Sequence, residues 1–312
     1  MLKEFLITHN KELEIEKSLF SGQSFLWKKH QSNLDSFVTV MDKRLVIISQ
    51  LSPYTIRVHC DSEVLYGQKI SAFISHYFTL DVPFQKIFSS SFKSNYSEVW
   101  RLLDGYKSIA LLRQHPFETL ISFMCAQGIG MRLIRQQINR LCERYGEFYE
   151  AEMEGEMLCF SGFPAPEQLA CLNAEELSYC TNNNRERAAN IIAVARKVVE
   201  GRLDLSSLSY PNMAFEEVQA RLTQERGIGL KIADCVALFG LGYFEAFPID
   251  THVHQFMAQW FKVPAASRSL TPATYRQLTL EAREILGSHY TGYAAHLLFH
   301  CWRCEVKKLC WF

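Results

Sequence analysis

Gly227-Ile228-Gly229-Leu230-Lys231-Ile232-Ala233-Asp234-Cys235 is followed, after a short apolar stretch, by Phe247-Pro248-Ile249-Asp250-Thr251-His252-Val253. The first run reads as a tight turn opening a helix, because glycines tolerate positive φ and let the backbone come close to a neighbour. The second reads as an extended segment that ends on a helix N-cap at Asp250. Upstream, the apolar spacing from Phe215 to Leu222 predicts another helix. Residues 215–254 therefore read as a helix, a glycine turn, a second helix and a capped third.

Lys231 falls in the first turn of the second helix. The positive end of the helix dipole disfavours a cation there, and partial burial acts the same way. Both favour the neutral amine that a Schiff-base nucleophile needs. A snorkelling surface lysine is the plainer alternative. Asp250 caps its own helix, and a carboxylate held by capping is suited to stabilising positive charge or moving protons. The N–H groups around Gly227 and Gly229 form a pocket for a phosphate, although a simple tight turn has the same sequence.

Outward from this block the chain divides. Phe37–Met41, Arg44–Ile48 and Thr55–Cys60 are short strand-like runs, separated by turns at Asp42-Lys43 and Ser52-Pro53. Further on, helical spacing takes over: Phe117, Leu120, Ile121 and Met124, then Ile134, Ile138, Leu141 and Tyr145 after the break at Gly128-Ile129-Gly130. Helices are also expected from Pro166, over 187–200, 230–239, 251–261 and 274–286, and from Tyr293 to about Trp302. The predicted class is α+β: an antiparallel sheet domain over 1–95, then an all-helical region over 96–312.

Composition narrows the function without naming it. Hydrophobic residues make up 48% and charged residues 21% of the chain, which excludes a disordered protein. The 33 basic and 33 acidic residues balance, which excludes a strongly basic coat for nucleic acid but leaves room for a local basic face. Candidates for such a face include Arg132 and Arg187. The ten cysteines follow no small-domain disulfide pattern, which suits a reducing compartment. No signal-like or membrane-length apolar run is present, so a soluble intracellular protein is expected.

The helix, turn and Lys231/Asp250 block resembles the helix-hairpin-helix signature of base-excision DNA glycosylases. Ser21-Gly22-Gln23-Ser24-Phe25-Leu26-Trp27, Leu111-Leu112-Arg113-Gln114-His115-Pro116-Phe117-Glu118 and Phe163-Pro164-Ala165-Pro166 are similar to segments of 8-oxoguanine DNA glycosylases, in the same order. The resemblance implies a bifunctional glycosylase and AP lyase that excises 8-oxoguanine, a damaged purine, from double-stranded DNA; the alternatives are an enzyme of the same fold acting on other damaged purines or abasic sites, and a catalytically silent damaged-DNA binding protein. It assigns the nucleophile to Lys231 and the carboxylate to Asp250. The carbonyl that recognises the lesion falls on Gly22, the pair that sandwiches the base on Cys235 and Phe299, and a residue near the DNA backbone on His252. It implies a monomer with no cofactor.

Two positions depart from the family pattern. Gly128-Ile129-Gly130 stands where animal members carry an asparagine-rich run. Ala295 stands where a glutamine reads the base edge, and His296 or a shifted backbone is the available substitute. Cys301-x2-Cys304-x5-Cys310 matches three of four cluster ligands of related enzymes, with Ala294 in place of the first. Unliganded thiols are expected, with zinc held by the three cysteines and a histidine as the other reading.

Overall fold

The computed structural model describes residues 2–30, 35–153 and 155–309. Five strands form an antiparallel sheet: Lys3–Thr8 (β1), Lys28–Lys29 (β2), Ser36–Met41 (β3), Arg44–Ser52 (β4) and Thr55–Cys60 (β5), in the order β1-β5-β4-β3-β2. Asp42 and Lys43 join β3 to β4 with φ of 49° and 59°. That left-handed pair is the two-residue turn whose twist suits a hairpin, and it sets the register Met41↔Arg44, Val40↔Leu45. A two-residue pair, Val64–Leu65 (β6) and Gln68–Lys69 (β7), leads into the helix Ile70–Tyr77.

Alternation along β3 and β4 sends side chains to two different partners. Phe37, Met41, Val46 and Ile48 pack with Trp27, Ile74 and Tyr77 on one face. Val38, Leu45 and Ile47 occupy the other face and meet Leu158. Leu158 belongs to a hairpin, Phe148–Met153 (β8) with Glu156–Ser161 (β9), set among the helices. Sequence reading gives only helix for residues 96–312, and this hairpin is the departure. It lies over a sheet face that would otherwise be wet. Each fully buried aliphatic residue there contributes roughly 1.5–3 kcal/mol.

The remaining long elements are helices: Pro116–Cys125, Met131–Tyr145, Arg185–Val199, Phe215–Thr223, Leu230–Phe239, Thr251–Gln259, Pro272–Leu286 and Thr291–Glu305. They share one apolar core that also takes in Phe25, Val82 and Phe92 from the first hundred residues. Conversely, Ala110 and Leu112 pack into the core of the sheet. The seam is polar but satisfied. Buried Lys11 donates to the Thr79 carbonyl at 3.1 Å and to the Tyr293 hydroxyl at 2.9 Å, and Leu111 N donates to the same hydroxyl at 3.1 Å. Among the described residues no helix is long and apolar enough to cross a membrane.

A cavity of about 860 Å³ opens along this seam, lined by Tyr77, His115 and Glu118 among others. Glu118 has no hydrogen-bond or ion-pair partner among the described residues, and burial pushes its carboxyl up to about 8 from 4.5. The folded chain therefore holds this proton more tightly than the unfolded chain, and the group lowers stability as pH rises from about 4.5 to about 8. Thermal unfolding checks this. Glu118→Gln is expected to melt above the wild type at about pH 9, and the difference is expected to shrink as pH falls toward about 4.

Candidate active site

The turn before the lysine helix (Leu230–Phe239) is held from three sides. Glu225, buried in the turn, accepts from Lys197 Nζ at 2.5 Å, and Ile228 N donates to the Glu225 carbonyl at 3.0 Å. The Gly227 carbonyl accepts from Gln127 Nε2 at 2.6 Å. Gly227 has φ +87°, and a Cβ there would sit 2.8 Å from Asn190 Nδ2, so no larger residue fits without strain. Gly229 is the N-cap and supplies no side-chain acceptor to the first-turn N–H groups. These N–H groups face outward at the positive end of the helix.

Lys231 is half-buried, and its ammonium lies 5.2 Å from the centre of the Phe123 ring. No carboxylate pairs with it among the described residues. Cys235 follows one turn later on the same face. Burial pushes its thiol up to about 11, with the Lys231 charge opposing, so it remains a neutral, polarisable surface.

Asp250 ends an extended segment (φ −106°, ψ −173°) and caps the aspartate helix Thr251–Gln259 by accepting from Val253 N at 2.8 Å. Its position is fixed from the residue before it. Ile249 N donates to the Tyr275 hydroxyl at 3.1 Å, and that hydroxyl donates to Asp234 Oδ2 at 2.6 Å. Gln219 Nε2 donates to Asp234 Oδ1 at 2.5 Å. Asp234 lies three residues beyond Lys231, so one buried carboxyl ties the lysine helix to the chain that carries Asp250. Burial pushes Asp234 up to about 7 against the pull of those two hydrogen bonds.

Lys231, Asp250, Gly22, Cys235, His252, Gly229 and Phe299 all line one cavity of about 970 Å³. Gly22 adopts φ +95°, and a Cβ built on it would come 2.4 Å from Met131 Cε and 3.5 Å from the Phe299 ring. The glycine backbone thus forms a wall of the cavity, with Met131 and Phe299 beside it. The loop is anchored on either side of Gly22. Ser21 Oγ lies 2.8 Å from His296 Nε2, and the Gln23 amide bonds to the Ser18 and Ala110 carbonyls and to Leu112 N. The Gly22 carbonyl accepts no hydrogen bond from the described residues.

Residues 5–120 match the 8-oxoguanine DNA glycosylase N-terminal domain, and residues 121–279 match the HhH-GPD superfamily of base excision DNA repair proteins. The chain belongs to the HhH-GPD superfamily. It is 26% identical to the N-glycosylase/DNA lyase of Saccharomyces cerevisiae, over 94% of this chain and 84% of the yeast protein. It is 25% identical to the N-glycosylase/DNA lyase OGG1 of Arabidopsis thaliana, over 94% of this chain and 78% of that protein. The Clostridium acetobutylicum 8-oxoguanine glycosylase/lyase, solved with double-stranded DNA containing cytosine opposite 8-oxoG, superposes with a TM-score of 0.76. It is 22% identical and covers 99% of this chain and 98% of that one.

Arg132 and Arg187 lie around this HhH-GPD cavity rather than in it. Arg132 is exposed in the first turn of Met131–Tyr145. Arg187 is half-buried, and its guanidinium donates to the carbonyls of Cys125 at 3.4 Å and Gln127 at 2.6 Å. It therefore holds the loop that contains Gly128-Ile129-Gly130, whose residues line the cavity mouth. His252 packs edge-on to Phe299 at 5.8 Å. Burial holds His252 below the ordinary histidine value; Asp250 opposes this, while Arg303 and Lys307 add to it.

Cys301 and Cys304 are buried, with Cys304 Sγ 3.7 Å from His300 Nε2, and burial pushes the Cys301 thiol up to about 12. Cys310 lies outside the described residues. Among the described residues no three His, Cys, Asp or Glu side chains gather closely enough to hold a metal.

Sequence reading misses Tyr275, Asp234, Glu225 and Gln127, which carry no local signal of their role. Removing the Tyr275 hydroxyl strips a donor from Asp234 and an acceptor from Ile249 N. Tyr275→Phe is expected to cost about 1–3 kcal/mol in denaturant unfolding, and an unchanged midpoint would show that the link carries no load.

Proposed function

We propose that this protein is a bifunctional DNA glycosylase and AP lyase that excises 8-oxoguanine from duplex DNA inside the cell. The observation that carries the proposal is the single cavity that joins Lys231 and Asp250 to Gly22, Cys235 and Phe299. The names of the yeast and Arabidopsis relatives supply the activity, and the Clostridium enzyme supplies the lesion.

The glycosidic bond is inaccessible inside the base stack, so the nucleotide must be turned out into the cavity. The outward N–H groups at Gly227 and Gly229 hold a backbone phosphate, with Arg132 and His252 beside the same strand; such contacts position the duplex without reading sequence. The flipped base lies between the Cys235 thiol and the Phe299 ring. 8-Oxoguanine carries N7–H where guanine has a bare acceptor, so the unspent Gly22 carbonyl distinguishes the two.

Lys231 Nζ, as the free amine, attacks C1′. The C1′–N9 bond breaks, and its electron pair leaves with the base, which takes up a proton. Asp250 stabilises the positive charge that develops on the sugar. The sugar ring then opens to a Schiff base on Nζ. Loss of a C2′ proton expels the 3′ phosphate, and water releases the lysine.

Borohydride trapping on duplexes with 8-oxoguanine opposite each of the four bases tests this. A covalent adduct that disappears in Lys231→Gln is expected. Gly22→Ala is expected to lose excision of 8-oxoguanine while still trapping on abasic DNA. An adduct on abasic DNA alone in the wild type would remove the lesion assignment, and no adduct on either would remove the role of Lys231.

A further inference from the structure

The Gly22 carbonyl can test only for an N7–H, and every 8-oxopurine has one. Something else in the cavity must tell a guanine edge from an adenine edge, and Ala295 presents only a methyl group. The next residue is His296, which is buried, lines the same cavity, stacks on Phe299 at 6.3 Å and meets Phe239 edge-on at 5.4 Å.

Its tautomer can be worked out from its neighbours. Ser21 Oγ lies 3.0 Å from the Ser18 carbonyl, 3.1 Å from Gln23 Nε2 and 2.8 Å from His296 Nε2. A hydroxyl has one proton to give. Once that proton goes to the Ser18 carbonyl, the oxygen is left as an acceptor, and Nε2 of His296 must carry the ring proton. The ring is neutral, because burial pushes it down to about 3. Nδ1 is then a bare acceptor. Among the described residues it makes no hydrogen bond, and the ring lines the cavity.

We propose that His296 is a specificity-determining residue, whose Nδ1 accepts a hydrogen bond from the N1–H or 2-amino group of the flipped base. Ser21 is its positioning partner, because it fixes which nitrogen carries the proton. The proposal rests on the glycosylase reading above. A guanine-type edge offers two donors to Nδ1, whereas an adenine-type edge sets its own N1 lone pair against it. Gly22 thus tests for oxidation, and His296 tests for the purine. The loop Ser21-Gly22-Gln23 serves both tests at once.

Single-turnover excision of 8-oxoguanine and of 8-oxoadenine, each opposite cytosine, provides the test, with trapping on abasic DNA as the control for fold and lyase chemistry. The wild type is expected to favour 8-oxoguanine, and His296→Phe to cut that preference roughly 10–100-fold while abasic trapping stays intact. His296→Gln keeps an acceptor and is expected to retain more of the preference. Ser21→Ala releases the tautomer without touching the ring, is expected to lower the preference in the same direction, and decides the matter if the histidine variants fail to fold. An unchanged ratio in folded His296→Phe, or in Ser21→Ala, overturns the proposal. Wild-type protein that traps abasic DNA but excises neither base overturns the glycosylase reading itself, and this proposal with it.

Discussion

One buried carboxyl sets the geometry on which the rest depends. Asp234 accepts from Gln219 and from Tyr275, and Tyr275 in turn accepts from Ile249 N. Through that chain three helices and the extended segment before Asp250 are held in one arrangement. The cost of burying the group shows in its raised pKa, and two strong hydrogen bonds offset it. A core of aliphatic side chains could bury the same area but would tolerate sliding. A network with directional bonds does not, and it fixes the lysine helix relative to the segment that carries Asp250.

A second constraint runs across the seam between sheet and helices. Lys11, Thr79 and Leu111 converge on the Tyr293 hydroxyl at the start of Thr291–Glu305. One turn further along the same helix His296 Nε2 meets Ser21 Oγ, and Phe299 lies against Gly22. The helix is therefore fixed against the sheet at its first turn and supplies a cavity wall with the next two. The close approach of Gly292 to the Ala246 carbonyl, where a Cβ would lie 1.8 Å away, pins it equally to the lysine side.

Local features were the ones legible in the sequence. The Asp42-Lys43 turn, the strands around it, the glycine turn at 227–229, the N-cap at Asp250 and the helical spacings are all set by neighbours a few residues away, and the structure places them where they were read. The β8–β9 hairpin was less visible. Tyr149, Ala151 and Met153 do alternate with Glu150 and Glu152, but the run is short and lies among helices, and its partner face on β3 and β4 is a hundred residues distant. Arg187 reads as a surface charge because nothing local announces that its guanidinium meets carbonyls sixty residues earlier. The tautomer of His296 depends on a serine 275 positions away, and no periodicity encodes that.

The chain draws its cavity from two stretches that match different family models, with the amine and the carboxylate on one and the Ser21-Gly22-Gln23 wall on the other. The bonds from Gln219 and Tyr275 to Asp234 lie wholly in the second stretch, so the wall loop and that network share no residue. Substitutions in the wall can therefore reshape the cavity without disturbing the hydrogen bonds that tie the lysine helix to the segment before Asp250.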